Sequence, residues 1–409
     1  MRIWFLIAML LLTGNAFSDN PLDFSYKIRA VGEDHVPRED SVFAAGLPLT
    51  SFGRDRGRVE GEIRGRAGPL SLQVTETVSK QAGSDPSSRA LINQAYFDAG
   101  ESAWRGSLGK KVLSYDVGYG FRPLDLVQRE PRLQMLPPAL EGVNHVSVEH
   151  FTAERALSLI VANPGNGREP DPKDDGSLSL RYYQRVGTAD LYGTTRYSER
   201  FRFEGGAAFS AVPHESLELH GSALYQERAE RTVPTTSAVL LDSSNALQVE
   251  TISPSGKALA GFTWTLDSGF SFLGEAWWDG SAPSAADWQR LARQARARNE
   301  LATLPGVPPA AVAGALASST RMFQVPSLNR YSALGRIAWT DPAGSGWSAS
   351  LDALRSLDDG GYSVTLAVSR ELDKLRLDAG VRGSGGRPDS AYGLLPERGV
   401  LFLGAALAF

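Results

Sequence analysis

Apolar and polar residues alternate along most of the chain, and the alternation keeps restarting up to the last residue. Val59, Gly61, Ile63, Gly65 and Ala67 alternate with Arg58, Glu60, Glu62, Arg64 and Arg66. A strand sends successive side chains to opposite faces, so this stretch sets a charged row against a small or apolar one. Leu178, Leu180, Tyr182 and Gln184 alternate with Ser179, Arg181, Tyr183 and Arg185. Phe201, Phe203, Gly205, Ala207 and Phe209 alternate with Arg200, Arg202 and Glu204. Leu375, Leu377, Ala379 and Val381 alternate with Lys374, Arg376, Asp378 and Arg382. About eighteen such segments of roughly ten residues follow one another, centred near residues 28, 62, 74, 95, 109, 148, 158, 181, 193, 205, 220, 262, 274, 335, 351, 366, 378 and 404. That is the length a tilted strand needs to cross a bilayer, with one face on hydrocarbon and the other on water. The last segment places Leu401, Leu403, Ala405, Leu407 and Phe409 on one face and ends on the ring. A terminal apolar strand closed by an aromatic residue is how an outer-membrane barrel finishes, which makes Phe409 a candidate insertion signal. The pattern predicts an all-β fold, a single transmembrane antiparallel β-barrel of about eighteen strands over residues 19–409.

The connections sort by length. Tight turns are expected at Gly68-Pro69, Gly100-Glu101, Gly187-Thr188, Val212-Pro213, Asp267-Ser268-Gly269, Asp341-Pro342 and Leu372-Asp373, all rich in turn residues. Longer links cover 32–57, 80–90, 122–142, 163–175, 227–256, 280–328 and 384–398. With the first strand rising from the periplasm, the turns fall on the periplasmic rim and the long links outside, as in outer-membrane barrels. Trp104, Trp264, Trp278, Trp339 and Trp347 lie near strand ends on the apolar parity and read as interfacial anchors.

The N-terminus adds a compartment. Arg2, the apolar run Ile3 to Leu12 and the small residues around Phe17 read as a secretory signal cut after Ser18. The chain has no cysteine, which excludes disulfides, thiolate metal sites, cysteine nucleophiles and lipoprotein acylation. Past the signal no run of eighteen apolar residues appears, so spanning helices are not expected. A net charge of −4 suggests no nucleic-acid partner.

Two links carry more than turn chemistry. Link 122–142 holds Pro123, Pro131, Pro137 and Pro138 among Arg122, Asp125, Arg129, Glu130 and Arg132. Four prolines stiffen it and bar it from a sheet. It follows the run Gly109-Lys110-Lys111-Val112-Leu113-Ser114-Tyr115-Asp116-Val117-Gly118-Tyr119-Gly120-Phe121. This glycine- and aromatic-rich strand entering an aromatic-Arg-Pro-Leu-Asp turn resembles the porin-like and alginate-export-like outer-membrane barrels of Gram-negative bacteria. The resemblance implies a loop folded into the pore as a constriction, with Arg122, Asp125, Arg129, Glu130 and Arg132 as its charged members. An ordinary external loop is the competing reading. Link 280–328 is partly helical: Ser284 and Asp287 can cap a helix whose apolar stripe is Trp288, Leu291, Ala292 and Ala295. Its arginines, Arg290, Arg293, Arg296 and Arg298, fit a solvated lid, a lumen plug or a contact for lipopolysaccharide phosphates.

Charges on the water-facing parity complete the picture. Arg58, Arg64, Arg66, Arg200, Arg202, Arg376 and Arg382 are expected on the lumen wall, with Glu60, Glu62, Glu204 and Asp378 offsetting part of their charge. Rings of charge set pore selectivity. The five histidines form no metal or triad spacing, and no phosphate loop, zinc signature or calcium loop is visible. No enzyme activity, cofactor or metal is expected. The function expected is diffusion of small hydrophilic solutes, anions favoured, through the outer membrane of a Gram-negative bacterium. A non-conducting barrel, serving as an envelope scaffold or the exit port of an export system, is the alternative. Expected partners are outer-membrane lipid, lipopolysaccharide and the barrel-assembly machinery.

Overall fold

The computed structural model describes residues 23–128, 130, 135–169, 171–236 and 241–409. The leader expected over 1–18 lies outside these residues, as do Arg129 and Arg132. Twenty strands are described: β1 (Asp23–Pro37), β2 (Arg56–Ala67), β3 (Leu70–Gln81), β4 (Ser87–Glu101), β5 (Trp104–Lys111), β6 (Val143–Phe151), β7 (Arg155–Ala162), β8 (Ser177–Val186), β9 (Ala189–Ser198) and β10 (Arg202–His214) make the first half. The second half is β11 (Leu217–Gln226), β12 (Ala229–Pro234), β13 (Leu247–Ile252), β14 (Ser255–Thr265), β15 (Phe270–Asp279), β16 (Tyr331–Thr340), β17 (Trp347–Ser356), β18 (Tyr362–Glu371), β19 (Leu375–Gly385) and β20 (Glu397–Ala408). The helices are α1 (Ala285–Leu301), α2 (Pro309–Ser319) and α3 (Ala391–Leu394).

Eighteen strands form one antiparallel sheet, and β12 and β13 form a separate hairpin within link 227–254. Each barrel strand pairs with the next, β11 passing over the hairpin to β14. β20 pairs with β19 on one side and β1 on the other, so the sheet closes and has no free edge. All eighteen centres read from the alternation fall inside barrel strands.

Inward and outward faces follow the parity of the sequence. Phe24, Tyr26 and Ile28 of β1 stand exposed on the outer surface, as do Leu401 and Leu403 of β20. Phe97, Trp104, Trp264, Phe270, Trp347 and Phe409 ring the outside near one rim, and Tyr197, Phe203, Tyr225, Trp278, Tyr331 and Tyr362 ring it near the other. An apolar band between two aromatic girdles fits a bilayer rather than water. Among the described residues no helix is long and apolar enough to cross a membrane; the crossing elements are strands. Phe409 exchanges backbone hydrogen bonds with Tyr26 (2.9 and 3.2 Å), and the two rings stack with centroids 4.6 Å apart.

Eight short turns lie on one rim, at 68–69, 102–103, 152–154, 187–188, 215–216, 266–269, 341–346 and 372–374. The other rim carries nine links, of which 112–142 and 280–330 are the longest. Two expected turns shift. Gly100 and Glu101 still pair with Arg105 and Trp104, and the chain reverses at 102–103, where Ser102 takes a positive φ of 56°. Val212-Pro213 lies inside β10, because the ladder with β11 skips from Ala211 to His214. The bulge spares the proline a ladder N–H it does not have. On the loop rim, 199–201 and 357–361 are as short as turns.

Candidate channel lumen and its inserted loop

The loop that follows β5 leaves the rim and runs inside the barrel. Leu113 packs on Val143, Ile160 and Ala162 of β6 and β7, together with Tyr115 and Val127. Leu124 packs on Ala208 of β10 and Leu224 of β11. Tyr119 and Phe121 reach the lumen side of β14 to β16, against Leu259, Trp277 and Leu334, and the Phe121 and Trp277 rings stack at 5.6 Å. The return leg crosses to the opposite wall. Arg58 Nη2 donates to the Leu136 carbonyl (2.6 Å), Asn93 Nδ2 donates to the Leu140 carbonyl (3.1 Å), and the Gly142 N–H donates to the Asn93 carbonyl (2.8 Å). Among the described residues the loop therefore lies inside the barrel.

Buried carboxylates give the loop its shape. Asp125 accepts from Ser114 Oγ (2.9 Å), the Tyr115 N–H (2.7 Å) and Arg122 Nε (2.7 Å). Asp116 accepts from the Leu124 N–H (2.6 Å) and the Val117 N–H (2.7 Å). Burial pushes the Asp116 carboxyl above the usual carboxylate range, and those two amides offset part of the effect. Glu275, on the lumen face of β15, accepts the backbone N–H groups of Tyr119 (2.6 Å) and Gly120 (2.7 Å) and lies 3.0 Å from His220 Nε2. Gly118 and Gly120 make this close approach possible. A Cβ on Gly118 would sit 1.9 Å from the Phe121 carbonyl oxygen, and one on Gly120 would sit 2.7 Å from Leu334 Cδ2.

The inserted loop fills the lumen against β6 to β15 and leaves a passage on the other side. A cavity of about 520 Å³ runs between Tyr119, Met135 and Leu136 of the loop and the wall of β16 to β20. It extends from Tyr392, Leu395 and Ser384 at the loop rim to Thr340, Ser348 and Ser369 at the turn rim. Between them, Arg336, Asp352, Thr365 and Arg382 stand side by side in one ladder row. Arg336 Nη1 donates to both Asp352 oxygens (2.8 and 2.9 Å) and to the Tyr119 hydroxyl (2.8 Å); Arg382 Nε donates to Thr365 Oγ1 (2.8 Å). The rest of this wall mixes Ser348, Ser350, Ser363 and Ser369 with Leu334, Leu354, Val400 and Phe402.

Several ion pairs along the lumen share an orientation. Arg64 is 61% exposed while its partner Glu62 is 13% exposed. Arg376 and Asp378 show the same contrast at 54% and 12%. Arg58, Arg29, Lys111 and Arg336 are likewise more exposed than Glu60, Asp98 and Asp352, their acidic partners. In these pairs the carboxylate is the more covered member, whereas Arg196–Glu204 and Lys257–Asp279 are buried on both sides.

The residues marked from sequence separate into groups. Arg58, Arg64, Arg66, Arg376 and Arg382 stand on the lumen face. Arg200 and Arg202 do not. Arg200 lies in the short link 199–201 and ties neighbouring links together, binding Glu230 (3.0 and 2.6 Å) and the Glu169 carbonyl (2.6 Å). Arg202, with φ 59°, donates to the hydroxyl of the outward-facing Tyr197 (3.0 Å). The reversal at 199–201 breaks the parity that had placed both on the wall. In the loop, Arg122 and Asp125 are buried against each other and frame it from within, while Glu130 stays partly exposed, 3.7 Å from Arg122. The sequence places Glu275, Arg336 and Asp352 on the lumen parity without giving them partners, and it does not mark Asp116 or Trp277 as parts of the site. Leu113, Tyr115, Val117, Tyr119 and Phe121, alternating with small and polar residues in what would be an external loop, were the available signal.

Links on the loop rim build a lid. α1 begins at a capping box made by Ser284 and Asp287, as read from the sequence. Its Trp288, Leu291, Ala292 and Ala295 pack with Phe43, Val312, Leu316, Met322 and Leu394 into an apolar core of the lid's own. Trp288 Nε1 donates to the Leu328 carbonyl (2.6 Å). Arg293 and Arg296 point to solvent. Burial pushes the Tyr392 hydroxyl, at the loop-rim end of the passage, well above the usual phenol range.

No family model matches the chain, and no curated protein matches it. Solved structures do. OccAB1 of Acinetobacter baumannii aligns with a TM-score of 0.55 at 10% identity, over 96% of this chain and 99% of that one. OccK8 (OprE) of Pseudomonas aeruginosa gives 0.55 at 8% identity, over 95% and 98%. OpdK of Pseudomonas aeruginosa, solved with vanillate, gives 0.53 at 9% identity, over 95% and 98%. The shared feature is the fold, a closed antiparallel barrel spanned end to end.

Proposed function

We propose that the chain is a channel, not an enzyme, in the outer membrane of a Gram-negative bacterium, passing small hydrophilic solutes with a weak preference for anions. The observation that carries this reading is the passage between the inserted loop and β16 to β20, which holds Arg336, Asp352, Arg376 and Arg382, inside a barrel whose outside is apolar. An aqueous lumen behind a lipid-facing wall is what a diffusion pore requires. In this orientation the eight turns face the periplasm and the lid faces outward. The outer girdle then borders lipopolysaccharide, and the barrel-assembly machinery inserts the chain with Phe409 as its signal.

The preference for anions follows from the exposed cations. A solute in the passage meets Arg376 before the more covered Asp378, with Arg336 and Arg382 on the same wall. Guanidinium stays charged at any working pH. Because each cation is paired, the bias is modest. The Pseudomonas neighbour solved with vanillate, a small anion, supports the same solute class. Arg129, Glu130 and Arg132 are proposed as the charged members of the constriction, carried on the frame that Asp116, Arg122 and Asp125 make.

Swelling of proteoliposomes in isotonic solutes tests the reading. Small anionic and neutral solutes should enter faster than cations of equal size. Vesicles that hold folded protein and do not swell in any small solute would turn the reading toward a sealed scaffold.

A further inference from the structure

The outer wall is not uniformly convex. A cavity of about 850 Å³ opens on its lipid-facing side at the seam where β20 meets β1. Two adjacent ladder rows line it. One passes from Val368 through Ala379, Leu403, Gly32 and Gly57 to Lys80. The other passes from Trp347 through Arg370, Leu377, Ala405, Ala30 and Val59 to Val78. Six strand spacings of about 4.8 Å make this furrow roughly 29 Å long. Ala30, Gly32, Gly57, Ala379 and Ala405 form the low part of its floor with Leu377 and Leu403 standing among them, and the next outward row holds Leu401 and Val381 on one side and Leu407 and Ile28 on the other. A Cβ placed on Gly32 or Gly57 would meet nothing within 4 Å, so the space there is open.

The turn-rim end of the furrow carries a charge. Arg370 stands on the outward parity one residue from the end of β18, where a cation would ordinarily be absent from a lipid-facing surface. Its guanidinium lies over the Trp347 ring, 5.0 Å from the centroid, and its Nε is buried with no hydrogen-bond partner. An apolar trough fits a hydrocarbon chain. A guanidinium at the membrane boundary fits a phosphate. Both features meet in one molecule.

We propose that this furrow is a lipid-binding site, holding one acyl chain of a periplasmic-leaflet glycerophospholipid whose phosphate rests on Arg370 and whose glycerol backbone borders Trp347. The leaflet rests on the orientation given under the proposed function; the contact between furrow, guanidinium and phosphate does not. The lipid would fill a depression beside the closing seam and seat the barrel at a fixed depth.

Native mass spectrometry of the delipidated protein in detergent tests this, with phosphatidylglycerol as the probe and diacylglycerol of the same chains as the control. Wild type should hold one phosphatidylglycerol saturably and diacylglycerol weakly. Arg370→Gln should weaken phosphatidylglycerol by at least about tenfold, the scale of one lost charge-assisted hydrogen bond. Gly32→Leu with Gly57→Leu, which fills the floor and leaves Arg370 in place, should weaken it as much. Equal affinity in Arg370→Gln, or equal binding of diacylglycerol, overturns the phosphate contact. Loss in Lys80→Gln with retention in Arg370→Gln would overturn the leaflet and place the headgroup at the other end of the furrow. Single-channel conductance of the same variants should match wild type, so a failure of the channel reading and a failure of the lipid site show up in different measurements.

Discussion

Glu275 Oε1 accepts the backbone N–H of Tyr119 at 2.6 Å, joining the middle of β15 to the tip of the inserted loop. Its other oxygen takes the Gly120 N–H at 2.7 Å, so one side chain pins two successive amides across the lumen. With the tip held there, the loop occupies one half of the barrel, and the passage opens along β16 to β20 in the other. Glu275→Ala removes both bonds. Hydrogen bonds to a charged group contribute about 1.5–3 kcal/mol each, enough to free a loop tip from one fixed position. Single-channel recordings of this variant should show a larger, noisier conductance with flicker, while the folded fraction stays near wild type. An unaltered conductance would mean that Phe121 and Leu124 hold the loop without it.

Selectivity should follow position. Arg336 and Arg376 face the passage, so Arg336→Gln with Arg376→Gln should reduce anion preference, because a screened charge still acts within about 8 Å at physiological salt. Arg202→Gln should leave it unchanged, since that guanidinium sits on Tyr197 outside the lumen. Reversal potentials in a salt gradient read both. Equal loss in the two variants would contradict the lumen assignment.

Deleting Phe409 removes a ring stacked on Tyr26 and two backbone hydrogen bonds at the seam. The heat-modifiable, folded fraction in the outer membrane should fall. Unchanged folded levels would show that the terminal ring is not an insertion signal.

A topology test uses Gly314, on α2 in the lid, and Gly68, in a short turn. An epitope at position 314 should be reached on intact cells and one at 68 should not. Reversed accessibility would invert the orientation of the barrel.

The lid should come apart independently of the barrel. Trp288 is fully buried at its centre, and Trp→Ala in a core costs about 3–5 kcal/mol. Trp288→Ala should loosen α1 and let trypsin cut the chain after the solvent-facing Arg293 and Arg296 on intact cells, with heat-modifiability retained. Loss of both together would mean that lid and barrel fold as one unit.

The strands were legible because alternation at period two is imposed on every crossing by oil outside and water inside. Parity says nothing about where the chain reverses, which is why Arg200 and Arg202 were placed on a wall they do not reach. The bulge at Ala211 to His214 hid a strand end behind Val212-Pro213 for the same reason. The inserted loop is set by tertiary partners far away in sequence: Glu275 lies 155 residues from Gly120. Asp125 reads as a pore charge in a list of residues and proves to be an internal acceptor, because only the fold brings Ser114, Tyr115 and Arg122 to it. The β12–β13 hairpin within 227–254 carried no tight-turn signal that marked it.

Single-channel recording of the refolded, heat-modifiable wild-type protein in a planar bilayer, with a gradient of potassium chloride, tests the central claim most directly. The expected result is long-lived openings with a reversal potential of the sign given by chloride moving more freely than potassium. A bilayer that stays silent although folded protein has inserted, or openings with the opposite sign, would contradict it.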